Sequence, residues 1–391
     1  MKVAYFIGSL NRGGTEMLTL DICRRHREAP FQILLVYRNE GELSEQYRQT
    51  GVRMIRLKPS KGGRLAYLFE MRRMLKREQV DVLHAQTLTN GAFALFCTLF
   101  TNIKVVNTFH GFHTSRAAIS MCHLVMAGCD ALCFVSDYER RWYANRSIER
   151  RNGCFVVYNG IDFSKFDGIF EEPDFLKKID AAQPRKDLLS SHDSAKRIRL
   201  AMIGNFVSVR SQNSLLRCIH LLYNRGYKNF DFYFVGKRAD NEPWLYDDCV
   251  KYVEQNALEG CVHFVGSRGD VPAILQHIDA FVYSTSHDTF GIAVVEAMAA
   301  GVPVVANDWE VMKEISQNGK WLRLYKTDDA QSGAEAMADL IDNISAYKAA
   351  AQQQKYEVRS TFSIENHIER LASIYSAVVS NNKKEMQLLS T

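Results

Sequence analysis

Ser284-Thr285-Ser286-His287-Asp288-Thr289-Phe290-Gly291-Ile292-Ala293-Val294-Val295-Glu296-Ala297-Met298-Ala299-Ala300-Gly301-Val302-Pro303-Val304-Val305 is the stretch on which the reading of this chain turns. The apolar run before it predicts a strand over 280–284 that ends at Ser284. A polar loop with His287 and Asp288 follows, then a helix over 292–300 that stops at Gly301, then a strand over 302–306. Strand, loop, helix and strand at these lengths form the repeating unit of a parallel α/β sheet. The first amides of such a helix have no acceptor within it and suit a diphosphate. Asp288 precedes the helix and Glu296 lies more than a turn inside it, among Val294, Val295, Ala297 and Met298. A carboxylate buried there without a partner is costly, so Glu296 reads as facing ligand hydroxyls, against the plainer alternative of a surface acid.

The same alternation extends in both directions. In the N-terminal half, short apolar runs over 3–7, 31–37, 52–57, 80–84, 105–109, 131–135 and 155–158 predict strands buried on both faces, with amphipathic helices such as 16–27 and 65–77 between them. The alternation restarts with strands over 198–203, 231–235 and 262–265 and helices over 211–223, 244–256 and 271–276. The expected organisation is therefore two doubly wound α/β domains, 1–165 and 198–362. A polar, proline-containing linker or surface excursion is expected over 166–197. A last helix begins at Ser363, a predicted N-cap, and places Ile364, Ile368, Leu371, Tyr375 and Val378 on one face. No strand follows it, so residues 363–391 are expected to bury that face on an existing domain, the first.

Composition narrows the function classes. The chain has 391 residues, 47% of them hydrophobic and 24% charged, as folded globular domains do. Its nine cysteines are scattered without a C-x-x-C pair, which predicts free thiols in a reducing, cytoplasmic compartment. Cys129 and Cys133 alone lie close together, in an apolar run, and read as core rather than as metal ligands. No signal peptide is legible at Met1–Gly8, and the longest apolar stretch, 91–100, is half of what a bilayer span needs, so no crossing is expected. Residues 1–165 carry 24 Lys and Arg against 14 Asp and Glu, and residues 166–391 carry 25 against 30, so a net of +10 faces one of −5. Such asymmetry suits an anionic partner for the first half. The helix over 65–77 combines Leu65, Leu68, Phe69, Met71 and Leu75 with Arg64, Arg72, Arg73, Lys76 and Arg77; its apolar residues are expected to pack inward as in an ordinary domain helix, and its arginines suit an anionic membrane surface. No aromatic-rich basic motif or helix-turn-helix pattern points to nucleic acid.

Ligands of open parallel sheets bind beyond the carboxyl ends of the strands, so the loops there carry the candidate chemistry. After the first strand, Gly8-Ser9-Leu10-Asn11-Arg12-Gly13-Gly14-Thr15-Glu16 matches neither common phosphate motif. Leu10 stands where the dinucleotide fingerprint needs its second glycine, and Gly14 where a P-loop needs lysine. What remains is a pair, Gly13 and Gly14, whose bare amides open a helix and can approach a phosphate or sugar, or merely make a tight turn. His110 ends the fifth strand beside Gly111, a position that favours a site role, and His84 ends the fourth.

Taken together, Asp288-x7-Glu296, with Phe290-Gly291 inside and Glu296-Ala297-Met298-Ala299-Ala300-Gly301-Val302-Pro303-Val304 after it, resembles the Glu-x7-Glu motif of the retaining GT-B glycosyltransferases of family 4. Gly13-Gly14-Thr15-Glu16, Asn159-Gly160-Ile161-Asp162 and Val262-x-Phe264-x-Gly266 are similar to further segments of that family, in the same order. The resemblance spans nearly the whole chain outside 168–197 and the last dozen residues. It implies two Rossmann-like domains facing across a cleft, with the tail helix crossing back onto the first. It further implies transfer of a sugar from a nucleotide diphosphate sugar to an acceptor hydroxyl, with retention, without a metal or resident cofactor, in surface polysaccharide or glycolipid assembly. Expected with it are a glycan or lipid-linked acceptor and a peripheral position at the inner face of the membrane.

By the same resemblance His110 and Asp288 are the catalytic residues, beside or on the donor sugar. Gly13, Gly14, Asn205, Arg210, Phe290, Gly291, Ile292 and Glu296 bind the donor, Glu296 at the ribose hydroxyls. Two departures from the family pattern stand out. Asp288 is one methylene shorter than the usual Glu. In Gly204-Asn205-Phe206-Val207-Ser208-Val209-Arg210-Ser211-Gln212, Asn205 replaces an Arg and Arg210 a Lys, which leaves Lys237 or Arg238 as conceivable substitutes for the lost cation. The departures keep a non-catalytic nucleotide-sugar binding protein in view, and the fold alone also admits an epimerase or a phosphorylase.

Overall fold

The computed structural model describes residues 1–58, 63–145, 153–182 and 197–390. The chain divides into two units, Met1–Asp162 with Phe362–Thr391, and Phe163–Thr361.

The first unit is built on β1 (Lys2–Ser9), β2 (Gln32–Asn39), β3 (Arg53–Arg56), β4 (Val82–Ala85), β5 (Lys104–Phe109), β6 (Ala131–Phe134) and β7 (Cys154–Val156). They form one sheet in the order β3-β2-β1-β4-β5-β6-β7, and every pairing is parallel. The order reverses beside β1, where loops at the carboxyl ends diverge and leave room for a ligand. Alternate residues of β1 show why its sequence is apolar throughout. Val3, Tyr5 and Ile7 enter the core on one face of the sheet, and Ala4 and Phe6 the core on the other. The helix Ile364–Val379 belongs to the first of these cores through Ile364, Ile368, Leu371, Ile374, Tyr375 and Val378. Ser363 caps it, accepting from the Asn366 amide at 3.1 Å. The return is tight at Asn159-Gly160: a Cβ on Gly160 would lie 2.5 Å from the His367 Cβ and 2.9 Å from the Ile364 Cα.

The second unit repeats the plan with β8 (Ile198–Ile203), β9 (Phe230–Val235), β10 (Val262–Gly266), β11 (Ala280–Tyr283), β12 (Val304–Asn307) and β13 (Arg323–Tyr325), in the order β10-β9-β8-β11-β12-β13, again parallel. Its switch point lies between β8 and β11. The edge strand β13 has no counterpart in the apolar pattern, because three residues with only Tyr325 buried are too few to show a period.

The polar composition of 166–197 predicts a linker, but Asp174–Ala182 is a helix with Leu176 fully buried. Glu172 and Asp180 each pair at 2.6 Å with Arg199, itself buried in β8. Acids that read as linker polarity thus neutralise a buried guanidinium. The remainder of that stretch, 183–196, lies outside the described residues. All nine cysteines are free and all but the half-buried Cys154 are buried, and burial pushes the Cys23 and Cys133 thiols up to about 12. Among the described residues no helix is long and apolar enough to cross a membrane.

Candidate active site

Two loops at the switch point of the second unit are fastened into one platform. After β8 the chain runs Gly204 to Arg210, and after β11 it runs Ser284 to Gly291. Arg210 and Thr285 form an antiparallel bridge. Around it the Ser211 amide donates to the Ser284 carbonyl (3.1 Å), the Ser286 amide to the Val209 carbonyl (3.2 Å), and the Thr285 hydroxyl to the Val209 carbonyl (2.7 Å). From β12, Asn307 clamps Thr285 on both sides, accepting from its amide at 2.9 Å and donating to its carbonyl at 2.8 Å.

This platform fixes Arg210. Its Nε donates to the Tyr283 hydroxyl at 2.8 Å, and the guanidinium lies 5.6 Å from the Tyr283 ring centroid. The Tyr283 hydroxyl donates in turn to the Asp288 carboxylate. Burial works against the Arg210 charge, but Tyr283 and Asp288 outweigh it, and the net shift is upward, so Arg210 stays a cation. Burial, above all, raises the Tyr283 pKa far above its ordinary value, so its proton stays in the bridge. The guanidinium lies over Gly204, where a Cβ would collide with its Nη1, and Gly236 after β9 abuts the Gly204 carbonyl. Two glycines therefore make the hollow that holds one cation.

Next to it, Gly291 starts the helix Ile292–Ala299 in the left-handed region at φ 83°. Phe290 is buried, and Met312 Cε lies 2.7 Å from where a Gly291 Cβ would be, so both conformation and space demand glycine. The structure thus brings Arg210, Asp288, Phe290, Gly291 and Ile292 to one place. Glu296, further along the helix, pairs with Lys165 at 3.1 Å. That cation meets part of the burial cost which made Glu296 stand out. On the other side of the loop His287 stacks on Trp309 with ring centroids 5.7 Å apart, and the Trp309 indole donates to the Asp288 carbonyl at 3.0 Å.

Asn205 acts as a fastener. Its Oδ1 accepts from the Lys237 amide at 2.9 Å, and its carbonyl accepts from the Gln212 side chain at 3.1 Å. Lys237 and Arg238 form surface ion pairs, with Asp240 at 2.8 Å and with Asp247 at 2.6 Å. Sequence reasoning missed Tyr283, Lys165 and Trp309. The strand-end position of Tyr283, directly before the polar loop, is the signal that could have found it.

In the first unit Gly13 caps the helix Gly14–Arg24, and a Cβ there would lie 2.5 Å from Glu16 Oε2. Burial raises the Glu16 pKa. His110 follows β5, half-buried, with Nε2 3.1 Å from the Gln86 Oε1. Burial, helped by His367, pushes it down to about 3, so the ring is neutral at pH 7. His84 is fully engaged in the core, 2.5 Å from the Tyr375 hydroxyl and 2.7 Å from the Thr108 hydroxyl. Among the described residues no group of three or more His, Cys, Asp or Glu side chains is placed to hold a metal ion.

Comparison with known proteins agrees with this anatomy. The family Glycosyltransferase Family 4 matches residues 12–165, and Glycosyl transferases group 1 matches residues 197–343. A Campylobacter jejuni N,N'-diacetylbacillosaminyl-diphospho-undecaprenol alpha-1,3-N-acetylgalactosaminyltransferase is 21% identical over 96% of this chain and 99% of its own. The Bacillus subtilis putative glycosyltransferase EpsF is 22% identical over 86% and 87%. Among solved structures, Anabaena HepE in complex with UDP and glucose superposes with a TM-score of 0.81 at 17% identity, covering 96% of this chain and 100% of that one. A Rickettsia africae glycosyltransferase superposes at 0.82, with 15% identity over 97% and 99%. With both halves matched in order and two doubly wound parallel sheets, the chain belongs to the family 4 glycosyltransferases of GT-B fold.

Proposed function

We propose that this glycosyltransferase moves a sugar from a nucleotide diphosphate sugar to an acceptor hydroxyl, with retention at the anomeric carbon, in the assembly of a bacterial surface polysaccharide or glycolipid. The observation that carries the reading is Arg210, held by Tyr283 and Asp288 beside the start of the helix Ile292–Ala299. The anomeric C–O bond breaks with its electron pair on the departing diphosphate. The acceptor oxygen takes its place, and the hydroxyl proton leaves with the diphosphate. Charge thus accumulates on phosphate oxygens, and a pre-oriented cation together with the first amides of the helix would stabilise it most where it develops. Because Arg210 brings that charge itself, turnover is expected to need no divalent ion and to persist in EDTA.

Glu296 would hold the ribose hydroxyls, with Lys165 orienting its carboxylate. Asp288 would serve the donor sugar while bracing Tyr283. Asn205, bonded to the Lys237 amide, would shape the loop after β8 rather than touch phosphate. Gly13 and Gly14 would offer backbone contact, and His110 a neutral hydrogen bond to a sugar hydroxyl. The names of the relatives support a uridine nucleotide and a lipid-diphosphate acceptor as the first substrates to try. The proposed place of action is the inner face of the cytoplasmic membrane. A thermal-shift screen of UDP-, GDP- and ADP-sugars tests the donor, because a ligand of the folded state raises its apparent stability. A rise with one donor that Arg210→Ala abolishes is the expected result. No rise with any donor would remove the reading, and the anomeric proton coupling of the product reports retention.

A further inference from the structure

The charge of the first half is concentrated in one segment. Residues 46–129 hold 12 Lys and Arg against three acids, Glu70, Glu78 and Asp81. Glu78 is paired with Arg53 at 2.7 Å, and the Asp81 carboxylate accepts from the Lys2 amide at 2.7 Å. Two neighbouring helices carry the exposed part of this segment, Gly63–Arg77 and Leu88–Thr98. Their register follows from contacts at both ends. Tyr67 meets Phe93 with ring centroids 4.7 Å apart, and Arg72 Nη2 donates to the Phe100 carbonyl at 3.4 Å. Phe96 therefore falls level with Phe69.

On Gly63–Arg77 the buried positions are Tyr67, Met71, Met74 and Leu75. At 100° per residue the opposite side collects Leu65, Phe69, Arg72, Arg73 and Lys76, and no acid. Glu70 lies about 100° round from Phe69. Leu65 and Phe69 are 71% and 69% exposed, and Phe96 and Leu99 on the neighbouring helix are more than half exposed. Leu88–Thr98 and the loop after it to Ile103 contain no charged residue.

Phe100 is the sharpest feature. It is 89% exposed and sits just past the helix end at φ 57°, the left-handed position that helices most often give to glycine. A phenylalanine there costs backbone strain and gains no packing within the chain. Single exposed apolar residues need no explanation, but five on one pair of helices beside Arg72, Arg73 and Lys76, with Glu70 the one acid on either helix, do. Apolar tips that can sink beside the headgroups, ringed by Arg72, Arg73 and Lys76, are complementary to an anionic lipid surface.

We propose that Leu65, Phe69, Phe96, Leu99 and Phe100, with Arg72, Arg73 and Lys76, form a docking surface for an anionic phospholipid bilayer. This deepens the proposed function by giving the enzyme a way to its lipid-linked acceptor. The full chain is floated with vesicles of phosphatidylcholine alone and of equimolar phosphatidylcholine and phosphatidylglycerol. Binding to the anionic vesicles only, weakened by salt, is expected. Arg73→Gln with Lys76→Gln should weaken it about 30-fold, at roughly 1 kcal/mol per cation. Phe96→Ser with Phe100→Ser should weaken it again, while both variants keep wild-type melting temperature and UDP-sugar thermal shift. No flotation, equal flotation with neutral vesicles, or undiminished binding by both variants would overturn the proposal. So would a lipid-free dimer that the phenylalanine variant dissolves, since a second copy would then be the occupant. Failure of the donor shift with flotation intact would count against the transferase reading alone.

Discussion

The two units share a plan, a parallel sheet whose first strand leads through a glycine-containing loop into a helix, yet the two loop ends differ in sign. After β1 the helix starts at Gly13-Gly14 with the Glu16 carboxylate against it. After β8 the loop ends in the Arg210 guanidinium, laid over Gly204 and tied to Tyr283. Backbone amides at a helix start favour an anion in either place. The architecture therefore offers the same backbone twice, and on the proposed reading the side chain standing at it decides which loop receives the diphosphate. In the first unit an acid already occupies that role, and in the second a cation waits with its orientation settled.

Removing the cation is the strongest way to break this comparison. Arg210→Ala should lower kcat/KM by about 100- to 1000-fold, the reach of one group that stabilises developing charge. Arg210→Lys should recover only part, because a lysine cannot keep the Tyr283 bond at Nε and present two further nitrogens. Glu16→Ala, at the corresponding loop of the first unit, should change kcat/KM by much less than Arg210→Ala does. If the two substitutions cost the same, sign does not distinguish the loops. Glu296→Ala belongs between them, with a rise of about tenfold or more in donor KM, since the proposed ribose contact would hold ground and transition states alike.

A smaller effect sharpens the account of the two departures from the family pattern. Asp288 is shorter than the usual Glu, and Arg210 replaces a Lys, and one hydroxyl, that of Tyr283, joins them. The pair reads as one adjustment in which the shorter acid and the larger base meet through a phenol. Tyr283→Phe should cost about tenfold in kcat/KM. Groups that act as a unit are not additive, so Tyr283→Phe with Asp288→Asn should cost little more than the worse single change. Additive losses would mean that Asp288 acts only on the sugar.

Much of this was legible beforehand, and what was not has physical reasons. Strand and helix periods identified the two sheets because both faces of each sheet are buried, which makes the strands plain apolar runs. Ser363 and the apolar face behind it announced the helix Ile364–Val379, but the single helix expected over 363–391 is broken: Asn381 turns at φ 53° and a further helix follows over Lys383–Ser390. Asp288, Phe290, Gly291 and Ile292 were singled out because loops at strand ends are where ligands bind in this architecture, and Arg210 because its stretch resembles a family segment; the fold places them together. Tyr283 was not found, since a buried aromatic at a strand end looks like core until its hydroxyl is seen to bridge two charges. Lys165 was missed because its partner Glu296 lies 131 residues away in sequence, and no local pattern records such a pair. Asn205 was assigned to the donor by position alone, and its bond to the Lys237 amide gives it structural work. The acids at 172 and 180 looked like solvated polarity, because the buried Arg199 they serve lies in another element.

The smallest expected effect concerns the first unit, where three buried or half-buried histidines are held neutral. His110 is pushed down to about 3 and His367 to about 4, each foremost by burial, and His84 well below its ordinary value for the same reason. All three rings are hydrogen-bonded in the folded chain, His110 with Gln86, His367 with the Tyr158 carbonyl and His84 with Tyr375 and Thr108, and it is burial that disfavours their charged forms. An unfolded chain would protonate all three near pH 6.5, so unfolding takes up protons as the pH falls below that point. The stability from these depressed groups is complete above about pH 6.5 and declines as the pH drops toward 4, by up to about 1.4 kcal/mol per unit for each. The melting temperature should fall over that window, and His367→Gln should flatten the fall even though it lowers stability at pH 7.5 by removing a buried bond. A slope identical to wild type would show that burial of His367 does not contribute to the acid-side loss of stability.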